Sequence, residues 1–243
     1  MKILVLSKRC AKEILRDPLN IFFGLGFPIV ILLLLSAIQS NIPNDLFKIE
    51  SLAPGVSIFG LSFITLFSAT LISRDRESAF MERLYTTPLK AHDFIFGYVL
   101  PLVPIALLQS IVCYLVSAAL GLALTLDVLL AIIMTIPTAV FHIALGLLFG
   151  SILNVKQVGG ICGALLTNLS AWLSGVWFDI SLVGGIFEKA AQCLPFYYAV
   201  ECQRAIIRGE YALVLSHNAV ILIYTLVTLI VAIGFFLNKM KRN

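Results

Sequence analysis

Pro54-Gly-Val-Ser-Ile-Phe-Gly-Leu-Ser-Phe-Ile-Thr-Leu-Phe-Ser-Ala-Thr-Leu-Ile-Ser73 holds no Asp, Glu, Lys or Arg. As a helix rising about 1.5 Å per residue, such a stretch crosses the roughly 30 Å of hydrocarbon in a bilayer. Its hydroxyl residues Ser57, Ser62, Thr65, Ser68 and Thr70 do not bar insertion, because Ser and Thr return hydrogen bonds to nearby helix carbonyls. Five further stretches are equally free of charge: Leu19 to Gln39, Phe94 to Leu124, Val128 to Leu153, Val158 to Phe178 and Leu213 to Leu237. The whole chain of 243 residues is 60% hydrophobic and 12% charged, roughly half the charged share of a soluble domain. One core of this size cannot hide that much apolar surface, whereas lipid can cover it. The sequence predicts an all-α polytopic membrane protein with six transmembrane helices in a single domain over residues 1–243.

Orientation follows from the basic residues. Of 17 Lys and Arg, all but Lys48, Lys189, Arg204 and Arg208 fall in the N-terminal stretch, the 74–93 loop, the turn at Lys156 and the C-terminal tail. By the positive-inside rule these segments are cytoplasmic, and an even number of spans returns both termini to that side. A cleavable signal peptide is not expected, since the first 17 residues carry five basic groups and no apolar run with a small-residue cleavage site follows at the usual length. The net charge of +4 is spread over short loops, so no nucleic-acid partner is expected. Cys10, Cys113, Cys162, Cys193 and Cys202 have no metal-binding spacing, and free thiols are expected, with a bond between Cys193 and Cys202 as the alternative.

Three segments outside the spans carry pattern. Ile3, Leu4, Leu6, Ile14 and Leu15 interleave with Lys8, Arg9, Lys12, Glu13 and Arg16, which predicts a basic amphipathic helix in the headgroup layer over 1–17. In the 74–93 loop, Phe80, Met81, Leu84 and Tyr85 form an apolar stripe at helical spacing, ringed by Asp75, Glu77, Glu82 and Arg83, and Pro88 ends it. Glu77 to Tyr85 thus reads as a short helix that lies on the membrane or docks in a partner's groove; an ordinary solvated loop is the alternative. Residues 179–212 are too apolar for a free loop, and two short re-entrant helices are expected there. Within them Glu201 and Arg204 are three apart and share a helix face. An outer gate and a self-satisfying interfacial pair both fit.

The run Arg76-Glu77 … Met81-Glu82 … Leu84 … Thr87-Pro88, followed by Gly97 and Leu100-Pro101, resembles the signature loop of type-2 ABC transporter permeases, which reads R-E-x-G-T-L-E-x-L-x-x-T-P. Ala79, Phe80 and Tyr98 depart from the usual glycine, threonine and lysine. Gly175 before Trp177-Phe178, and Leu194-Pro195 … Tyr198 … Glu201 … Arg204 … Gly209, match the family's pattern after its fifth span. The resemblance implies a six-helix exporter subunit whose 74–93 loop forms a coupling helix against an ATPase through Arg76, Glu77, Phe80, Met81, Glu82, Leu84 and Pro88. It implies that the N-terminal helix is the family's connecting helix. It also implies a homodimer, or a pair with a related permease, in which the second and fifth spans line the substrate path. Phe59, Phe63, Phe67, Asn168 and Trp172 would be its walls, suited to a lipophilic cargo.

Other chemistries lack residues. Ion-coupled carriers need buried ionisable groups, and His142 alone lies well inside a span; a packed, hydrogen-bonded histidine is expected. No G-x-x-x-x-G-K-[ST] loop is present to cradle phosphates, so the chain itself is not expected to be an enzyme or to hold a cofactor, and ATP and Mg would be bound by a partner subunit. No H-E-x-x-H or G-x-S-x-G motif offers a hydrolytic site. Gly146/Gly150 and Gly159/Gly163 are small-xxx-small pairs for helix contact. The expectation is an exporter subunit of the cell membrane for a drug, an antimicrobial peptide or a lipid. The rival is a non-transporting membrane scaffold or an immunity or sensor protein.

Overall fold

The structure is a computed structural model that describes the backbone of residues 2–43, 46–78 and 91–242, and the side chains of residues 3–43, 46–78 and 93–238. All of its regular elements among these residues are helical. Helix α1 (Lys2–Arg16) is followed by α2 (Pro18–Gln39), which opens on Asp17 as N-cap and contains a π turn at Phe22–Gly26. Then come α3 (Ile49–Glu77), α4 (Ala91–Val99), α5 (Leu102–Ala119) and α6 (Leu126–Ile152). Helix α7 covers 155–173, and α8 (Gly185–Gln192), α9 (Pro195–Ile207) and α10 (Tyr211–Arg242) complete the chain.

Helix α3 is the centre. Its most apolar window is 89% buried, against 22% for α2 and for α10. It packs on α6, α5, α9, α7 and α2, while α10 closes over α6 and α9. The small residues of α3 and α6 permit this. A Cβ on Gly146 would stand 2.4 Å from the Cβ of Ser68, and one on Gly150 would stand 2.8 Å from the carbonyl oxygen of Ala69. The glycines let the two backbones approach, as small residues do between membrane helices.

Among the described residues five helices are long and apolar enough to cross a membrane: Pro18–Gln39, Ile49–Glu77, Asp93–Ala119, Leu126–Ile152 and Tyr211–Asn238. The chain is an all-α polytopic membrane protein. The segment expected as a fifth span differs from these. It begins at Asn154, whose side chain caps it in a reciprocal box with Gln157. Its residues Gly159–Leu166 are wound as a π-helix, and it stops at Leu173 rather than Phe178. The stop is set by Gly175 at φ 75°, a conformation that costs glycine little and other residues more.

The third stretch departs from expectation at one end and in its interior. It ends at Ala119 rather than Leu124, because Gly121 turns the chain at φ 108°. It is also broken at Leu100-Pro101, where the proline has no N–H for the ladder. The two short helices expected in 179–212 are α8 and α9. Helix α9, about 20 Å long at 1.5 Å per residue, buries Phe196, Val200, Cys202, Gln203, Arg204 and Ile206. All five cysteines are free thiols, with Cys193 exposed and Cys202 buried.

Candidate coupling site and end cavity

Asp75 organises the end of the bundle that carries α1. It lies on the face of α3 continued from Ser68, Leu71 and Ile72, all buried, and is itself 2% exposed. A buried carboxylate is tolerated only when charge and hydrogen bonds compensate it. Both oxygens are met by the Arg9 guanidinium, Nη1 to Oδ2 and Nη2 to Oδ1, the latter at 2.7 Å. The Tyr98 hydroxyl of α4 donates to Oδ2 at 2.8 Å. Arg9 also pairs with Glu13 one turn along α1, at 2.8 Å. Burial works against the Arg9 charge, but the hydrogen bond and proximity of Asp75 outweigh it and raise its pKa. The neighbouring Cys10 thiol, buried in the same seam, is pushed up to about 12, chiefly by burial. The apolar side of α1 seals the contact, with Leu6, Cys10 and Ile14 buried. The side chain of Leu6 fills the space a Cβ on Gly97 would need.

The sequence pattern places Asp75 on the solvated rim of the loop helix. The structure corrects this, since the 29 residues of α3 run unbroken through Asp75 to Glu77 and carry the carboxylate inward. Glu77 therefore belongs to the end of α3 and does not begin a separate element. The signal was available in the spacing, because Asp75 lies three and four residues beyond the buried Ile72 and Leu71.

Arg76 and Glu77 act on the neighbouring hairpin. Arg76 donates to the carbonyl oxygens of Ser151 and Leu153, at the otherwise unsatisfied C-terminus of α6. The Glu77 carboxylate accepts from the Val155 amide at 3.1 Å, in the first turn of α7. A cation thus sits at a helix C-terminus and an anion at a helix N-terminus, each matching the local dipole. Phe80, Met81, Glu82, Leu84 and Pro88 lie outside the described residues.

The residues expected to wall a path do not share one surface. Phe59, Phe63 and Phe67 are 6%, 3% and 3% exposed. Phe59 and Phe63 lie in a cluster of rings with Phe23, Phe27 and Trp177, and Phe67 abuts Gly24. Trp172 is 55% exposed and Asn168 is exposed, with its Nδ2 donating to the Ala164 carbonyl. The hydroxyls of α3 and α7 mostly serve their own helices or a neighbour. Ser62 and Ser170 donate to carbonyls one turn back, and Ser57 meets Ser110. His142 is packed, its Nδ1 and its carbonyl oxygen each 2.9 Å from the Thr65 hydroxyl.

At the other end of α3, roughly 35 Å away by helix rise, is a cavity of about 380 Å³. Glu201 and Arg204 line it and do pair, at 2.9 Å. Arg204 has further partners that spacing did not reveal. Its Nε donates to the Ser51 carbonyl at 3.2 Å, and its Nη2 to the Gly175 carbonyl at 2.8 Å. One guanidinium therefore ties α9 to the first turn of α3 and to the glycine bend after α7. Trp177, Asp179, Tyr197 and Arg208 complete much of the wall.

A family model described as ABC-2 type transporter matches residues 1–207. No curated protein matches the chain.

Proposed function

The chain belongs to the ABC-2 type transporter family, and from that premise we propose that it is the membrane subunit of an exporter that moves a lipophilic cargo outward, driven by a separate ATPase subunit. It is a multi-pass membrane protein, a permease subunit of a family that works with an ABC ATPase. The cargo class we favour is a drug, an antimicrobial peptide or a lipid, because the spans offer apolar and aromatic surface. ATP and Mg would be held by the partner. The distribution of basic residues supports cytoplasmic termini, and the cell membrane is the membrane we propose. Helix 155–173 would be the fifth of six spans, and α8 and α9 would re-enter the outer leaflet.

The observation that carries the coupling role is the Asp75 clamp. Arg9 of α1 and Tyr98 of α4 hold one carboxylate just before residues 79–90. A push on that segment, or on α1, would move three elements as one body, including the central helix α3. Arg76 and Glu77 would extend the motion to the α6–α7 turn. Docking of the ATPase on Phe80, Met81, Glu82, Leu84 and Pro88 would then open the bundle around Phe59, Phe63 and Phe67. A second copy would cover the exposed face of α7, where Asn168 and Trp172 otherwise meet hydrocarbon; an amide in lipid gains from a helix partner.

The test is co-purification with an ABC ATPase co-expressed with this chain. Assembly should raise ATP hydrolysis, and Glu82→Lys should abolish that rise while the permease still elutes as a folded species. If no ATPase copurifies and Glu82→Lys changes nothing, the chain is a scaffold rather than a transporter.

A further inference from the structure

The end cavity holds more charge than its architecture uses. Arg204 is spent on Glu201, Ser51 and Gly175. Arg208, the C-cap of α9 one turn beyond Arg204, lines the same cavity, and its side chain has no hydrogen bond or ion pair among the described residues. Glu201 engages Arg204 through Oε1 alone. Asp179 accepts from the Ser181 amide through Oδ1 at 3.0 Å. The Ser181 hydrogen bonds, and then the two arginines, hold the Asp179 carboxyl below the usual carboxylate range, so it is ionised at neutral pH. One unspent cation and two partly spent anions thus share a half-enclosed space with the rings of Trp177 and Tyr197. At about 380 Å³ it is within the usual range for small-ligand sites, about 300–1,000 Å³.

We infer that this cavity binds a zwitterion carrying phosphate and amine, of the phosphoethanolamine or phosphocholine class. Arg208 takes the phosphate, as a guanidinium matches its oxygens. Asp179 and Glu201 take the ammonium, with the indole of Trp177 offering a cation–π face. A plain anion would face both carboxylates, and a plain cation would face Arg208. The same chemistry is met in a phospholipid headgroup and in the free headgroup. The site is independent of the transport direction and of ATPase docking.

The chain has two tryptophans, and Trp172 is not among the cavity's lining residues. Trp172→Phe therefore leaves Trp177 as a single indole reporter in the wall. The purified variant, in a lipid-free detergent, is titrated with O-phosphoethanolamine and short-chain phosphatidylethanolamine, with glycerol phosphate and ethanolamine as single-charge controls. Saturable change is expected with the zwitterions, at least about tenfold tighter than with either control. Arg208→Gln and Asp179→Asn should each weaken it about tenfold with an unaltered elution profile; Asn still caps the Ser181 turn. A lipid that binds more tightly than the free headgroup identifies the source as membrane, and equal affinities identify it as the soluble zwitterion. No saturable change, glycerol phosphate binding as well as the zwitterion, or undiminished affinity in both variants overturns the inference.

Discussion

Asp75 is the residue whose environment carries the largest consequence. Removing Arg9 leaves a carboxylate that is 2% exposed with the Tyr98 hydroxyl as its remaining described partner. Breaking a buried pair from one side costs about 3 kcal/mol, because the charge stays behind without compensation. Arg9→Ala should therefore lower the thermal midpoint of the detergent-solubilised protein by several degrees. The double variant Arg9→Ala, Asp75→Leu should recover most of the loss, since an apolar residue of similar size needs no partner. Failure of the double variant to recover would mean that Arg9 acts through Glu13 rather than Asp75. Reactivity follows the same burial. At pH 7.5 Cys10, with its pKa pushed up to about 12, is a protonated, buried thiol. Maleimide should leave it unmodified until the protein is unfolded.

At the scale of elements, glycines that look alike in sequence have opposite roles. Gly146 and Gly150 seat α6 against α3, and a Cβ at Gly146 would press on Ser68 and on the Thr65 carbonyl. Gly146→Val should destabilise by about 1–3 kcal/mol through overpacking. Gly159 and Gly160 have nothing within 4 Å of a Cβ. Gly159→Ala should be neutral, or raise stability by up to about 1 kcal/mol through helix propensity. Thermal unfolding of the two variants side by side checks the pair, and equal losses would show that α7 is covered by a second chain. The small-xxx-small spacing of both pairs was legible in the sequence. Which of these glycines meets a neighbour within the chain was not, since a Cβ on Gly163 would touch Leu66 of α3 and one on Gly159 nothing; spacing reports a face and not what stands opposite it. Glu201 and Arg204 illustrate the same limit. Their three-residue spacing announced the pair, but Arg204's bonds to Ser51 and Gly175 join residues 153 and 29 positions away.

For the whole molecule, the distribution of Lys and Arg predicts that Cys193 is outside and Arg16 inside. Cys193 is the one exposed thiol of the five. A membrane-impermeant maleimide applied to intact cells should label Cys193. With Cys193 replaced by Ser, Arg16→Cys should label only after permeabilisation. Labelling of Arg16→Cys in intact cells would invert the topology and place residues 79–90 beyond the reach of a cytoplasmic ATPase.

What the sequence by itself determined is the class and the axis of the molecule. Charge-free stretches of spanning length leave the backbone no way to satisfy its hydrogen bonds in lipid except as helices, and that holds whatever the neighbours are. The loop, bend and post-span motifs carried the family resemblance, and two of their positions act locally, Gly175 by turning the chain and Pro101 by breaking a helix. Tertiary structure alone decided which helix is central, which phenylalanines are buried and where the charges meet. Those outcomes depend on the distances between elements far apart in the chain. Asp75 shows the difference most plainly, read as a rim residue from its charged neighbours and drawn inward because α3 continues past it to meet Arg9 and Tyr98.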